Sequence, residues 1–226
     1  MLNGIYEADF PGLSYGFRPK RSQPDALDAL VAGITGKKVN YILDADFRSF
    51  FDSVDQEWLV RFVDHRIGDR RIICMIQKWL RAGILVNGVV TVSETGTGQG
   101  SVISPLLANI HLHYVFDRWA ERWRRREATG DMIMVRHADD LVLGFQREAD
   151  AQHFWEAMRE RLLEFSLTLH PEKTRLIEFG GLAVAQREKR GLNKPDTFKF
   201  LGPQLSPPFK GSCGEYRPKI SSCLVD

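Results

Sequence analysis

The stretch Ile133-Met134-Val135-Arg136-His137-Ala138-Asp139-Asp140-Leu141-Val142-Leu143-Gly144-Phe145 constrains the fold more than any other. Two apolar, partly β-branched runs flank a short polar break, the pattern of a tight hairpin with a carboxylate pair at its tip. Adjacent aspartates are poor strand formers and repel each other, so an apolar hairpin ending in both wants a cation at its apex. Carboxylate oxygens suit Mg²⁺. For an isolated Asp-Asp turn, plain solvation is the ordinary reading, and only the rest of the chain can reverse it.

A second carboxylate-bearing strand lies upstream. Val39 to Asp46 alternates so that Ile42, Asp44 and Asp46 share one face. Phe47-Arg48-Ser49-Phe50-Phe51-Asp52 follows, and Ser53 with Gln56 three residues on fits a capping box opening a helix. Before the strand, Pro24 sits near a helix start, Leu27, Leu30, Val31 and Ile34 recur at helical spacing, and Gly33 and Gly36 offer stops. After it, Arg70 to Arg81 reads as an amphipathic helix, and Asn87-Gly88 between apolar runs reads as a hairpin turn. Glu94 to Ser101 is glycine-rich, able to let backbone approach a ligand, without the spacing of a Walker loop or dinucleotide fingerprint. Ser104-Pro105 reads as an N-cap and N1 pair opening a long helix that ends in Arg122 to Arg126. His111 and His113 are two apart and point different ways on it, which argues against a shared zinc. Another helix follows the hairpin through Phe154, Trp155, Met158, Leu162 and Leu163. Two short strands flank Pro171, with Lys173 just past it, and Phe198 to Gly202 reads as a last strand. The order implies an α+β fold with helices packed on one antiparallel sheet.

Net charge is only +2, from 31 basic and 29 acidic residues, so any case for nucleic acid rests on local clusters: Lys37-Lys38, Arg118 to Arg126, and Arg187 to Lys199. Three cysteines without a Cys-x-x-Cys pair argue against a disulfide framework or a zinc site and for a reducing, cytoplasmic setting. No apolar run approaches membrane-spanning length. Both ends read as cut rather than finished.

Taken together, these segments resemble the reverse transcriptase domain of bacterial group II intron-encoded proteins. Tyr15-Gly16-Phe17-Arg18-Pro19 resembles the fingers motif, and Asp44 to Asp55 the first palm motif. Gly96 to Ser101 through Ser104-Pro105-Leu106-Leu107-Ala108-Asn109 resembles the template-side motif. His137-Ala138-Asp139-Asp140 resembles the Tyr-Ala-Asp-Asp motif, Leu169 to Thr174 the lysine-bearing motif, and Phe200-Leu201-Gly202 the primer-side motif. The resemblance implies a polymerase palm-type antiparallel sheet with packed helices: a partial fingers segment over 1–40, the palm over 41–202, and a divergent or truncated tail over 203–226.

The resemblance also implies roles. Asp46, Asp139 and Asp140 would be catalytic and bind two Mg²⁺ ions, with the Phe47 carbonyl as a further ligand and Mn²⁺ as a substitute ion. Arg18 would touch the triphosphate, Phe51 would exclude a 2′-hydroxyl, Gln99 would position nucleotide and template, and Lys173 would stand near the leaving pyrophosphate. Gly100, Ser101, Leu201 and Gly202 would meet template or primer. The implied partners are an RNA template, a DNA primer, dNTPs and group II intron RNA, with no membrane. Asp44 is a runner-up carboxylate whose simpler role is to pair with a nearby cation. Two departures stand out: Gly98-Gln99-Gly100-Ser101 replaces the family's Pro-Gln-Gly-Gly, and His137 replaces its Tyr. The competing expectation is a truncated, inactive remnant that binds RNA without polymerising; a nucleotidyl cyclase is disfavoured by the Gln99 loop and the aromatic at position 51.

Overall fold

The computed structural model describes residues 2–82, 84–86, 89–91, 95–97, 102–179, 197–210 and 216–221. Gln99, Gly100, Ser101, the Asn87-Gly88 turn and most of the Arg187 to Lys199 cluster lie outside the described residues.

The centre is a four-stranded antiparallel sheet in the order β4-β5-β1-β6, built from β1 (Tyr41–Asp46), β4 (Met132–His137), β5 (Asp140–Phe145) and β6 (Arg175–Glu178). Alternation gives each strand two working faces. One carries Leu43, Ala45, Met132, Met134, Leu141, Leu143 and Phe145. Against it pack α4 (Gln56–Ile67), α6 (Ser104–Leu112), α7 (Arg118–Arg126) and α8 (Glu148–Leu163). The aromatic fill is dense: Phe154 of α8 lies 5.5 Å from Phe145 and 4.9 Å from Trp123, ring centre to ring centre.

The opposite face carries Ile42, Ile133, Val135, Val142 and Ile177 and is covered by Ala26, Leu30 and Ile34 of α2 (Gln23–Gly36). Ser22 caps α2 and exchanges hydrogen bonds with Asp25 in a capping box. Gly33 does not stop this helix; it lies where α2 crosses Ile133, and a Cβ there would stand 3.1 Å from the Ile133 Cδ1. So helices flank both faces of the sheet. Covering the second face stops short of the end of the sheet that bears Asp44, Asp46 and Asp140.

Two more boundaries differ from expectation. The helix after the first strand begins at Gln56, not Ser53, because the Asp55 carboxylate accepts from the Glu57 and Trp58 amides at 2.9 and 3.0 Å. Ser53 instead ends a short helix, α3 (Phe50–Ser53), with its hydroxyl bonded back to the Arg48 and Ser49 carbonyls. The expected helix from Ser104 to Arg126 is interrupted by a π-turn, His113–Asp117, and Ser104 donates its hydroxyl to the Thr97 carbonyl instead of capping. The remaining elements are α1 (Leu2–Glu7), α5 (Arg70–Arg81), and the hairpin of β2 (Ile84–Val86) with β3 (Val89–Thr91). At the expected last strand lies β7 (Phe198–Lys199), which forms a separate antiparallel sheet with β8 (Gln204–Lys210) and β9 (Tyr216–Ser221).

The outer edge of β4 is occupied. Arg136 donates its amide to the Leu13 carbonyl and accepts from the Tyr15 amide, both at 2.8 Å, so the 13–15 loop runs parallel beside it. No helix among the described residues is long and apolar enough to cross a membrane.

Candidate active site

The hairpin turn is two residues long. His137 and Asp140 are paired, leaving Ala138 and Asp139 as the connection, with Ala138 at φ 55°. Arg136 and His137 belong to β4. β1 adds on the other side of β5 in a register that sets Asp46 directly opposite Asp140. Cross-strand partners share a face, so Asp46 and Asp140 project together on the open end of the sheet. Asp44 follows on the same face and is paired with Arg175 of β6, whose Nε lies 3.7 Å from its Oδ2.

Lys173 places its Nζ 2.6 Å from the Asp46 Oδ2. With Glu172, Arg175, Lys199, Phe200 and Leu201, these carboxylates line an open cavity of about 430 Å³. The structure therefore gathers Asp46, Asp140, Lys173 and Leu201 around one space. Gly202 adjoins them at φ 102°.

Burial and neighbouring charge both act on these carboxylates. The Asp140 carboxyl is pushed up to about 6, first by the protein packed around it, then by Asp139 and Asp46, with Lys173 opposing. Burial pushes Asp44 to about 6 as well, against the pull of Arg175. Lys173 is raised by its bond to Asp46. Oxygen donors gathered under mutual repulsion, with an ammonium already drawn onto one of them, suit a hard divalent cation. As the side chains stand, no group of three or more His, Cys, Asp or Glu among the described residues is close enough to hold an ion.

The backbone direction at Phe47 follows from the hydrogen bonds of its neighbours. The bonds bridging to residues 168–170 are made by the Arg48 amide to Thr168 and by the Asp46 carbonyl from His170, at 2.9 and 2.8 Å. They flank Phe47, so its own N–H and C=O point to the opposite side, where β5 lies. Phe50 and Phe51 lie in a short helical turn, where Phe50 is 3% exposed in the core and Phe51 is partly buried against it.

Arg18 is not brought to the cavity. Its guanidinium forms a two-point pair with Glu7, at 2.6 and 3.1 Å, and donates to the Pro11 and Ser14 carbonyls. It is 7% exposed, with its hydrogen bonds divided between Glu7 at the end of α1 and the carbonyls of its own loop. In this arrangement Arg18 ties the Pro11 and Ser14 carbonyls to Glu7.

Sequence reasoning missed Arg136. It lies on the apolar face of β4 beside Met132 and Met134 and is 0% exposed. All five of its donors are used, on both Asp117 oxygens, Asn109 Oδ1, Ser14 Oγ and the Ala138 carbonyl, at 2.6–3.0 Å. The signal was present: an arginine in phase with two methionines on a strand needs a buried partner.

An antiparallel sheet with helices packed on its faces and carboxylates paired across its open end defines a palm-type polymerase fold. The profile of the family described as "Reverse transcriptase (RNA-dependent DNA polymerase)" matches residues 1–205, and the chain belongs to that family. Protein YkfC of Escherichia coli K12 is 33% identical over 211 residues, covering 77% of this chain and 54% of that protein. The group II intron-encoded protein LtrA of Lactococcus lactis is 37% identical over 113 residues, covering 50% of this chain and 18% of that one. The chain thus spans about half the length of the first relative and less than a fifth of the second. Telomerase of Candida tropicalis in complex with a fragment of telomeric RNA superposes with a TM-score of 0.71 at 14% identity, over all of this chain and 36% of that one.

Proposed function

We propose that this chain catalyses RNA-templated nucleotidyl transfer, joining a dNTP to the 3′-hydroxyl of a DNA primer. The observation that carries the reading is the register: Asp46 opposite Asp140 on the one uncovered end of the sheet, with Asp139 beside them in the turn. Asp46, Asp139, Asp140 and the Phe47 carbonyl would hold two Mg²⁺ ions. When bound, such ions lower the pKa of the attacking hydroxyl and offset charge on the leaving oxygen. The protein's own share is placement and charge. Lys173, released from Asp46, offers its ammonium to the pyrophosphate as it leaves. Phe51 closes the sugar side against a 2′-hydroxyl. Leu201 and Gly202 flank the cavity on the primer side, and Gln99, Gly100 and Ser101 serve the template. Group II intron RNA is the natural further partner, given relatives of that kind, and a bacterial cytoplasm the natural setting.

The test is primer extension on an RNA template with Mg²⁺, comparing wild type with Asp139→Asn. Extension by the first and not the second is expected; equal extension by both would sink the reading.

One observation favours a second reading. Lys173 sits on Asp46, and among the described residues no three acidic or metal-ligating side chains close around a point. On this reading the chain binds RNA without polymerising. Salt-dependent RNA binding with no extension under Mg²⁺ or Mn²⁺ would select it.

A further inference from the structure

We propose that Arg136 is a positioning residue for the nucleotidyl-transfer site, clamping the peptide between Ala138 and Asp139 and thereby aiming the Asp139–Asp140 pair; this rests on the reading above. The side chain lies on the sheet face opposite Asp46 and Asp140, beneath the turn rather than in the cavity. One of its N–H groups donates to the Ala138 carbonyl at 2.8 Å. The carbonyl belongs to the same planar unit as the Asp139 amide, so fixing one fixes the other. From the other side, the turn is pressed by Gly16. A Cβ there would stand 2.1 Å from the Ala138 nitrogen, so only glycine allows the approach.

Asn109 joins the two halves of the clamp. Its Oδ1 accepts from Arg136 at 3.0 Å, and its Nδ2 donates to the Gly16 carbonyl at 2.7 Å. Asp117 completes it by accepting from Arg136 at 2.8 and 2.6 Å, with both side chains fully buried. The π-turn explains how Asn109 and Asp117 meet one guanidinium. Eight residues of unbroken α-helix would set them about 80° apart around the axis, at roughly 100° per residue. Absorbing one residue in the π-turn leaves seven α-helical steps, and the offset falls to about 20°. The inserted residue therefore turns Asp117 onto the face of Asn109.

Stability does not account for this arrangement. A fully buried ion pair commonly does no better than apolar residues of similar volume, because desolvation cancels the attraction. What five simultaneous bonds to three separate segments supply is geometry. Ser14 and Gly16 bring in the 13–16 loop, so that loop, the α6–α7 helix and the aspartate turn are set as one unit.

The test is Arg136→Lys. Lysine keeps the charge opposite Asp117, but its single nitrogen cannot span Asp117, Asn109, Ser14 and Ala138 at once. Asn109→Ala, which removes the shared amide and leaves the ion pair, is read beside it. Phe154→Leu, in the core beneath β5, serves as a control for general loss of stability. Each variant and wild type are compared by thermal unfolding, by amide exchange across Ala138–Leu141, and by primer extension. Expected for Arg136→Lys and Asn109→Ala is faster exchange at the turn while the centres of β4 and β5 stay protected. Turnover should fall roughly 10–100-fold, with KM for the dNTP changed by less than about threefold. Unchanged exchange at the turn, or turnover reduced no further than in Phe154→Leu, overturns the proposal. No extension by wild type would instead overturn the nucleotidyl-transfer reading, and the exchange comparison would still decide whether Arg136 sets the turn.

Discussion

Asp46 and Asp140 face each other across β1 and β5, and His137 faces Asp140 from β4, so the three side chains form one row across the end of the sheet. Opposite residues in such a row have Cβ atoms roughly 4.5–5.5 Å apart, close enough for like charges to destabilise. Asp139, next in the turn, adds to the repulsion on Asp140. Asp139→Asn should abolish nearly all nucleotidyl transfer while leaving the melting temperature equal to or above that of wild type. Circular dichroism melts beside primer extension check both halves; a large drop in Tm would mean that Asp139 holds the turn together.

The legible part of this site was the part written in alternation and in adjacent letters. Asp46 on a strand end and Asp139-Asp140 at a hairpin tip could be read from spacing, because a strand of period two leaves no choice of face. The register that joins them could not, since β1 and β5 lie about a hundred residues apart and pair only through the tertiary fold. Arg18 is ambiguous in the sequence, because an arginine between aromatic and proline residues looks alike whether it meets a phosphate or its own loop. The partners that decide, Glu7 and the Pro11 and Ser14 carbonyls, are visible only once the loop has closed. The π-turn left no mark in the sequence that periodicity could find, because one inserted residue shifts the phase without changing composition.

Lys173 holds the Asp46 oxygen that a bound divalent ion would take. Lys173→Met should therefore tighten Mn²⁺ binding, read by the loss of its free-ion electron paramagnetic resonance signal, while lowering turnover. Weaker Mn²⁺ binding in this variant would show that Lys173 organises the carboxylates rather than occupying them.

Phe50 and Phe51 should separate cleanly on mutation. Phe50 packs 5.4 Å from Phe47, ring to ring, and is almost fully buried. Phe50→Ala is expected to cost roughly 3–5 kcal/mol, measured by urea unfolding. Phe51→Ala should cost less and should raise ribonucleotide incorporation relative to deoxyribonucleotide. Unchanged sugar selectivity in a normally folded Phe51→Ala protein would remove this ring from the site.

His111 gives the fold a defined response to acid. It is 0% exposed, neither ring nitrogen has a hydrogen-bond partner among the described residues, and burial lowers its pKa from 6.5 to about 4. The unfolded chain takes up a proton near pH 6.5 that the folded chain refuses until about pH 4. Stability is therefore full above pH 6.5 and declines as pH falls to about 4, by about 3 kcal/mol in all. His111→Leu should flatten that slope and raise the Tm at neutral pH, since it removes two unpartnered buried nitrogens. Differential scanning calorimetry from pH 4 to 8 checks it; an unaltered slope would move the acid sensitivity elsewhere.

Gly16 and Gly12 provide a matched pair in the same loop. A Cβ on Gly16 would collide with backbone of the aspartate turn, whereas one on Gly12 meets nothing within 4 Å. Gly16→Ala should lower both Tm and turnover, and Gly12→Ala should change neither measurably. Equal behaviour of the two in melts and extension assays would mean that the turn yields to the loop.

The parallel course of residues 13–15 along β4 has a consequence for how this sheet meets other chains. A bare edge strand invites a stranger to add to it, and an edge next to an enzyme's reacting centre would be an expensive place for that to happen. Here the side nearest the aspartate hairpin is already taken by the chain's own backbone. The opposite margin is β6, four residues long and bearing Arg175 and Glu178. Short, charged margins are poor templates for strand addition, so the sheet resists growing into a fibre from either side while its open end stays free.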